Sequence, residues 1–177
     1  MASLPGMYER TITCSSLSKT YSITGWRLGY LIGPEEVIEG AKKVHDFLTV
    51  GAASPLQEAA VVGLKFGQDY YDNLQKLYTE KRDFFIQGLK KLNITHTVPQ
   101  GSYFIMMDIS KYLAKEQFKG YTDYDFCIWM IKNIGVAAVP GSSFFKEEVN
   151  NFIRLHFARE MATLEEVLLR LAKLNEL

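Results

Sequence analysis

A lysine and an arginine lie between two short runs of β-forming residues, in a segment rich in serine and glycine. The segment contains Ser16-Leu17-Ser18-Lys19 and then Gly25-Trp26-Arg27-Leu28-Gly29. The residues before it, 11–14, are β-branched and apolar, which predicts a buried strand. Residues 26–32 predict the next strand, with Gly25 allowing a tight entry. Open α/β sheets bind ligands at the carboxyl ends of their strands, so we expect residues 16–19 at a ligand-binding edge.

The side chains of this segment suit a ligand that has both an aldehyde and a phosphate. The amine of Lys19 can condense with an aldehyde, and the guanidinium of Arg27 with the hydroxyl of Ser16 can hold a phosphate. Pyridoxal 5′-phosphate (PLP) has both groups, and proteins usually carry it as a Schiff base on lysine. Ser18 is a weaker candidate for the same phosphate. The alternatives are a surface lysine, an arginine in an interior salt bridge and a serine that caps a turn.

Four further motifs follow in order along the chain. They are Leu31-Ile32-Gly33-Pro34, Gly101-Ser102-Tyr103-Phe104, Pro140-Gly141-Ser142-Ser143-Phe144 and Ile153-Arg154-Leu155-His156-Phe157-Ala158. Together with Ser-x-Ser-Lys and Gly-x-Arg-x-Gly, they resemble the class I/II aminotransferases, PLP-dependent enzymes of fold type I. The Pro-Gly and Gly-Ser motifs also mark turns in any fold, so we assign no site residue to them.

The resemblance implies an α/β fold, comprising the C-terminal part of a large PLP-binding domain and a small α+β C-terminal domain. We expect residues 1–68 in the large domain, 69–92 in an interdomain helix and 93–177 in the small domain. Family members are much longer, so the chain is expected to be the C-terminal half of an aminotransferase. Large-domain strands would then keep an unpaired edge, and we expect residues 1–65 to be less stable than the small domain.

The resemblance also implies a reaction, the exchange of an amino group between an amino acid and a 2-oxo acid. Lys19 would hold PLP and then move a proton between the substrate Cα and the C4′ carbon of the cofactor. Ser16 and Arg27 would anchor the phosphate. Arg154 lies in an apolar strand, where a charge is costly unless it meets an anion, and would bind the α-carboxylate. Family members usually form homodimers.

Two alternatives remain open at this stage. The first is a non-catalytic fragment or interaction module, because the family's aspartate for the pyridine nitrogen is not found in the chain. The second is another fold type I PLP enzyme, such as a lyase or synthase, because fold alone does not decide chemistry.

Local patterns predict the remaining elements. Gly33-Pro34 opens a helix, Ser54 and Gln57 form a capping box for a second, and another capping box begins at Thr163. The other predicted elements are helices over 69–92 and 123–133, the latter ended by Gly135, and strands over 95–98, 103–108, 136–139 and 152–157.

Composition excludes several classes of function. Lys plus Arg and Asp plus Glu are 20 each, which gives no electrostatic case for nucleic acid or an anionic membrane. No apolar run reaches the length of a membrane span, and the N-terminus lacks a signal pattern. The three histidines have no metal-like spacing. Cys14 and Cys127 are expected to be reduced core thiols, which favours a cytoplasmic protein.

Overall fold

An antiparallel two-stranded ribbon and the helices that follow it form the N-terminal part of the chain. The computed structural model describes all of residues 1–177 and divides them into unit 1, Met1–Tyr70, and unit 2, Tyr71–Leu177. Unit 1 contains β1 (Thr13–Ser16), β2 (Gly29–Ile32), α1 (Glu35–Thr49), α2 (Ser54–Leu64) and the first turn of α3 (Gln68–Lys91). Strand β1 pairs with β2 from Thr13 opposite Ile32 to Ser16 opposite Gly29.

The ribbon differs from the predicted strands in its position and in its burial. Strand β1 begins two residues later than expected and all four of its residues are exposed, so the prediction of a buried strand was wrong. Strand β2 begins at Gly29 because Thr24–Trp26 forms a 3-10 turn and Arg27 is left-handed, with φ 56°. The tight turn into β2 therefore depends on the left-handed backbone of Arg27, and not on Gly25, which does not have a positive φ.

Unit 1 buries few apolar side chains. Its core cluster consists of Leu17, Leu28 and Ala60, with Tyr21, Ile23 and Leu56 packed against it. Helix α1 keeps Phe47 93% exposed and Leu48 76% exposed. Much of the apolar surface of α1 is thus not covered in the structure.

Unit 2 is built on a three-stranded antiparallel sheet. Its strands are β3 (Phe104–Asp108), β4 (Val139–Pro140) and β5 (Phe152–His156), in the order β3–β5–β4. Strand β5 pairs Arg154 with Met106 of β3 and with Val139 of β4. Residues of β3 and β5 alternate between buried and half-buried, because successive side chains of a strand point to opposite faces.

Helices cover the buried face of this sheet. They are the C-terminal part of α3, the short α4 (Ser110–Leu113), α5 (Asp123–Asn133) and α6 (Met161–Leu171), with 3-10 turns at Glu116–Phe118, Gly141–Phe144 and Ala172–Asn175. Side chains from all these layers form one buried cluster, which includes Phe85, Leu89, Ile105, Phe126, Met130, Ile153, Leu164 and Leu171. The predicted helices over 69–92 and 123–133 are confirmed to within a residue. Gly135, with φ 75°, follows α5 as expected.

Several local predictions for these elements were wrong. Residues 95–98 form only an isolated bridge, from His96 to Met107, and β4 is two residues long, although Val136 is also buried in the core cluster. Helix α6 begins at Met161 with Glu160 as its N-cap, so Thr163 lies inside the first turn. Helix α2 has Ala53 as its N-cap, and the Gln57 side chain donates to the Ala52 carbonyl at 2.8 Å rather than closing a box. No helix is both long and apolar enough to cross a membrane.

Candidate functional site

The pairing of β1 with β2 closes the loop that contains Lys19. The N–H of Leu17 donates to the carbonyl of Leu28 at 3.1 Å, one position beyond the last strand pair. Gly29 is required there, because an added Cβ would lie 2.7 Å from the Ser15 carbonyl oxygen. Ser16, the last residue of β1, and Arg27, two residues before β2, therefore each precede one partner of the closing hydrogen bond, and Lys19 lies two residues into the loop.

Hydrogen bonds within unit 1 hold the loop in shape. The Thr24 hydroxyl donates to the Ser18 carbonyl at 3.2 Å, and the Tyr70 hydroxyl donates to the Thr20 carbonyl at 2.6 Å. Nη1 of Arg27 donates to the Thr24 carbonyl at 3.0 Å. A left-handed non-glycine residue costs of order 1 kcal/mol or more, and such residues cluster at functional sites. The conformation of Arg27 is therefore supported by its own side chain.

The donors that remain on this loop fit the two reactive groups of PLP. The Ser16 hydroxyl oxygen accepts from the Ser18 N–H at 3.1 Å, which leaves its own proton available. Arg27 is exposed and keeps donors beyond the one used by Thr24, and Lys19 is exposed with its amine in no ion pair or hydrogen bond. The loop thus offers a primary amine, a guanidinium and a hydroxyl, the donor set that an aldehyde and a phosphate need. Ser18 is only 3% exposed and does not share this role.

A cavity of about 710 Å³ lies between the ribbon and the helices that follow it in unit 1. Arg27, Cys14, Lys42 and His45 line it. Ser16 and Lys19 do not, so the structure does not bring all three loop residues to this cavity.

Arg154 lies on the half-buried face of the unit 2 sheet, between two aromatic rings. Its guanidinium carbon is 4.0 Å from the ring centroid of Phe104 and 3.9 Å from that of Phe144. Such contacts contribute about 0.5–1 kcal/mol each at exposed sites and more where water is excluded. No carboxylate forms an ion pair with Arg154. A half-buried cation with its two faces covered and no acidic partner can receive an anion at its edge.

His156 follows on the same face of β5, because it lies two residues after Arg154. Burial lowers its pKa below the ordinary value, and the positive charges of Arg159 and Arg154 lower it further. Its Nδ1 is buried without a hydrogen-bond partner. The imidazole is therefore neutral at pH 7, and the positive charge beside it is carried by arginine.

The sequence did not single out the residues that hold Arg154. Phe144 belongs to the Pro140–Phe144 motif, to which no site residue was assigned, and Phe104 is the first residue of β3. Strand alternation could have placed Phe104 and Arg154 on one face once the two strands were paired. No local pattern connects Phe144 to that face.

Comparison with known proteins identifies the family. The model of the aminotransferase class I and II family matches residues 3–171, and the chain belongs to this family, which is PLP-dependent. The family resemblance and the fold type I assignment drawn from the sequence motifs are thereby confirmed.

Individual relatives agree with the assignment. A kynurenine–oxoglutarate transaminase of Dictyostelium discoideum is 34% identical over 99% of this chain and 44% of its own length. An LL-diaminopimelate aminotransferase of Maridesulfovibrio salexigens is 35% identical over 96% of this chain and 42% of its own. The solved N-succinyldiaminopimelate aminotransferase of Mycobacterium tuberculosis superposes with a TM-score of 0.85 at 31% identity, over 98% of this chain and 44% of that structure. The chain thus spans less than half the length of these relatives.

Proposed function

We propose that the protein to which this chain belongs is an aminotransferase that moves an amino group between an amino acid and a 2-oxo acid with PLP as cofactor. The observation that carries the proposal is the Lys19 loop, whose free amine lies between Ser16 and Arg27 along a loop closed by the β1–β2 pairing. Support also comes from relatives named as transaminases along nearly the whole of the chain.

The residues of unit 1 have separate roles in this proposal. PLP, when bound, supplies an electron sink for the bond changes at the substrate Cα. Ser16 and Arg27 bind and orient the phosphate, because a hydroxyl and a planar guanidinium fork both donate to phosphate oxygens. Lys19 is the proposed catalytic residue: its amine would hold the cofactor, and it would carry the proton that leaves or returns to the substrate Cα.

Arg154 binds the α-carboxylate of the amino acid and of the 2-oxo acid. This role is supported by its lack of an acidic partner and by its position between Phe104 and Phe144. A carboxylate accepts two parallel N–H bonds from the edge of a guanidinium, which fixes its plane as well as its position.

The assembly and the compartment are also parts of the proposal. We propose a homodimer, supported by the exposed apolar residues of α1, because a large exposed apolar surface in a folded protein is usually covered by a partner. A cytoplasmic location is supported by the two free cysteines, since reduced thiols are typical of reducing compartments.

Transfer of a labelled amino group tests the proposed activity. The chain is incubated with PLP, a ¹⁵N-labelled amino acid and 2-oxoglutarate, and ¹⁵N-glutamate is measured by mass spectrometry. Kynurenine is a suitable first donor because relatives carry its name. Turnover is expected to be lost in Lys19→Ala and kept in Lys43→Ala, which removes another exposed lysine of unit 1. Equal turnover by Lys19→Ala and the wild type would contradict the role of Lys19.

The alternative is that this chain alone is a non-catalytic folded module. It is favoured by the sparse core of unit 1. It is also favoured because the chain spans less than half of the relatives' length. Turnover by the isolated chain would exclude this alternative. No turnover, with PLP still attached at Lys19, would support it for this chain and leave the transaminase proposal for the longer protein.

A further inference from the structure

A buried carboxylate that the proposed reaction does not use lies beneath the turn that carries Phe144. Asp123, the first residue of α5, is 1% exposed. Its Oδ2 accepts from the Ser142 N–H at 2.7 Å, and its Oδ1 accepts from the Ser142 hydroxyl at 3.1 Å and the Tyr124 N–H at 3.0 Å. A buried carboxylate is costly unless it is fully hydrogen-bonded, and here three donors satisfy it.

The partner of Asp123 lies 19 residues away, in the turn Gly141–Phe144. The start of this turn also packs closely against β5, because a Cβ on Gly141 would lie 2.5 Å from the Phe152 carbonyl oxygen. Gly141 and Ser142 are thus both fixed, one against the strand that carries Arg154 and one against α5. Phe144 follows two residues later, with its ring over the guanidinium of Arg154.

We infer that Asp123 is a positioning residue for Arg154 and acts through Ser142 and Phe144. Holding the turn keeps Phe144 on one face of the guanidinium while Phe104 covers the other. The guanidinium can then rotate little, and only its edge remains open to a ligand. This arrangement selects a planar carboxylate bound edge-on, and it rests on the proposed function of Arg154 as the carboxylate-binding residue.

Helix α5 provides a matched control two residues along the chain. Asp125 is exposed and takes part in the capping box of α5, where its Oδ2 accepts from the N–H and the hydroxyl of Thr122 at 2.9 and 2.8 Å. Replacing it disturbs the same helix end without touching the turn. Asp123→Ala and Asp125→Ala therefore separate the loss of the turn anchor from a general effect on α5.

The first measurement uses the ring currents of the two phenylalanines. The ¹H–¹⁵N signal of the Arg154 Nε–H, recorded for the 177-residue chain, is expected upfield of an exposed arginine. Phe144→Leu should remove only part of that shift, because Phe104 still covers the other face of the guanidinium. Asp123→Ala should move the signal close to its position in Phe144→Leu, Asp123→Asn to an intermediate position, and Asp125→Ala should leave it unchanged. The amide signals of Ile153 and Leu155 report whether the sheet is intact.

A wild-type Arg154 signal in Asp123→Ala, with the sheet intact, would overturn the inference. If Asp123→Ala does not fold, Asp123→Asn and Ser142→Ala decide the question, because each keeps part of the hydrogen bonding. Wild-type signal positions in both of these variants would also overturn it.

The second measurement titrates the same proteins with pyruvate, a 2-oxo monocarboxylate, and with neutral pyruvamide. Pyruvate should shift the Arg154 signal saturably in the wild type and Asp125→Ala, with several-fold weaker binding in Asp123→Ala, whereas pyruvamide should not shift it. Equal affinity for pyruvate in Asp123→Ala and in the wild type would overturn the inference that Asp123 supports carboxylate binding by Arg154. If pyruvate does not shift the wild-type signal but the ring-current pattern holds, Asp123 still positions Arg154 and the proposed carboxylate role of Arg154 fails instead.

Discussion

Unit 1 and unit 2 differ sharply in how much apolar side chain each buries. Unit 1 has three residues in its buried cluster, whereas unit 2 has a cluster of 20 that joins a sheet to three long helices. Helix α1 leaves Phe47 and Leu48 mostly exposed, although its sequence has the apolar period of a packed helix. Apolar periodicity therefore predicts a helix correctly in both units, but it predicts burial only where the chain supplies the covering layer.

The two proposed sites follow this difference. The Lys19 loop lies in unit 1 and is held mainly by backbone and hydroxyl hydrogen bonds, such as that from Leu17 to Leu28. Arg154 lies in unit 2 on a strand whose opposite face is fully buried. We expect Arg154 to be rigid in this chain and the Lys19 loop to depend more strongly on what covers unit 1.

The largest expected difference is in the cost of a core truncation. Ile105→Ala, at a fully buried position of unit 2, should cost about 2–5 kcal/mol of unfolding free energy. Leu28→Ala should cost unit 1 less, because its small cluster leaves fewer contacts to lose. Each unit has one tryptophan, Trp26 or Trp129, so urea unfolding of Trp26→Phe and Trp129→Phe backgrounds follows each unit separately. Unfolding transitions that coincide at the two tryptophans would contradict the expectation that unit 1 is less stable than unit 2.

Each unit also has one cysteine, and the two thiols should react at very different rates. Cys14 is exposed, whereas burial, together with the charge of Asp123, raises the pKa of Cys127 to about 12. Since the thiolate is the reactive form, we expect Cys14 to be alkylated at least about 100-fold faster at pH 8. Mass spectrometry of the two peptides over time measures this ratio, with alkylation in urea as the control. Similar rates in the native chain would mean that the core of unit 2 does not protect Cys127. The expectation that both cysteines are core thiols was wrong for Cys14.

A smaller effect is expected at the helix caps of unit 2. Thr122 caps α5 through its hydroxyl oxygen, which accepts from the Asp125 N–H at 3.3 Å, so Thr122→Ala should cost about 1 kcal/mol. Thr163→Ala is the matched control, because Thr163 lies within α6 and makes no cap, and it should change stability by less than about 0.5 kcal/mol. Urea unfolding followed at Trp129 measures both. A loss of stability in Thr163→Ala greater than about 0.5 kcal/mol would support the capping box that the sequence predicts at Thr163.

Most of the element order could be predicted from local chemistry, and most of the misses arise from contacts distant in sequence. Pro34 and Gly135 mark a helix start and a helix end because proline and glycine have special backbone preferences. The sequence could not show that β4 shrinks to two residues or that Asp123 bonds Ser142, because tertiary packing decides both. Lys19, Ser16, Arg27 and Arg154 were chosen from sequence motifs, and their roles stay predictions.

The smallest expected effect is a pH dependence that belongs to unit 2. The folded pKa of His156 is lowered, mainly by burial, so the unfolded chain binds a proton more readily between the two pKa values. The wild type should therefore lose stability as pH falls below about 6.5, relative to His156→Asn, which cannot be protonated there. Unfolding of the two proteins at several pH values, followed at Trp129, measures the difference. A wild type that gains relative stability on acidification would contradict the buried, neutral imidazole.

The most direct test of the account is to map where PLP attaches to the chain. The purified protein is incubated with PLP and reduced with borohydride, and the modified peptide is identified by mass spectrometry. We predict an adduct confined to the Lys19 peptide, reduced in Arg27→Ala and unchanged in Lys43→Ala. Labelling scattered over the lysines, or absent from Lys19, would contradict the claim that this loop presents the cofactor lysine.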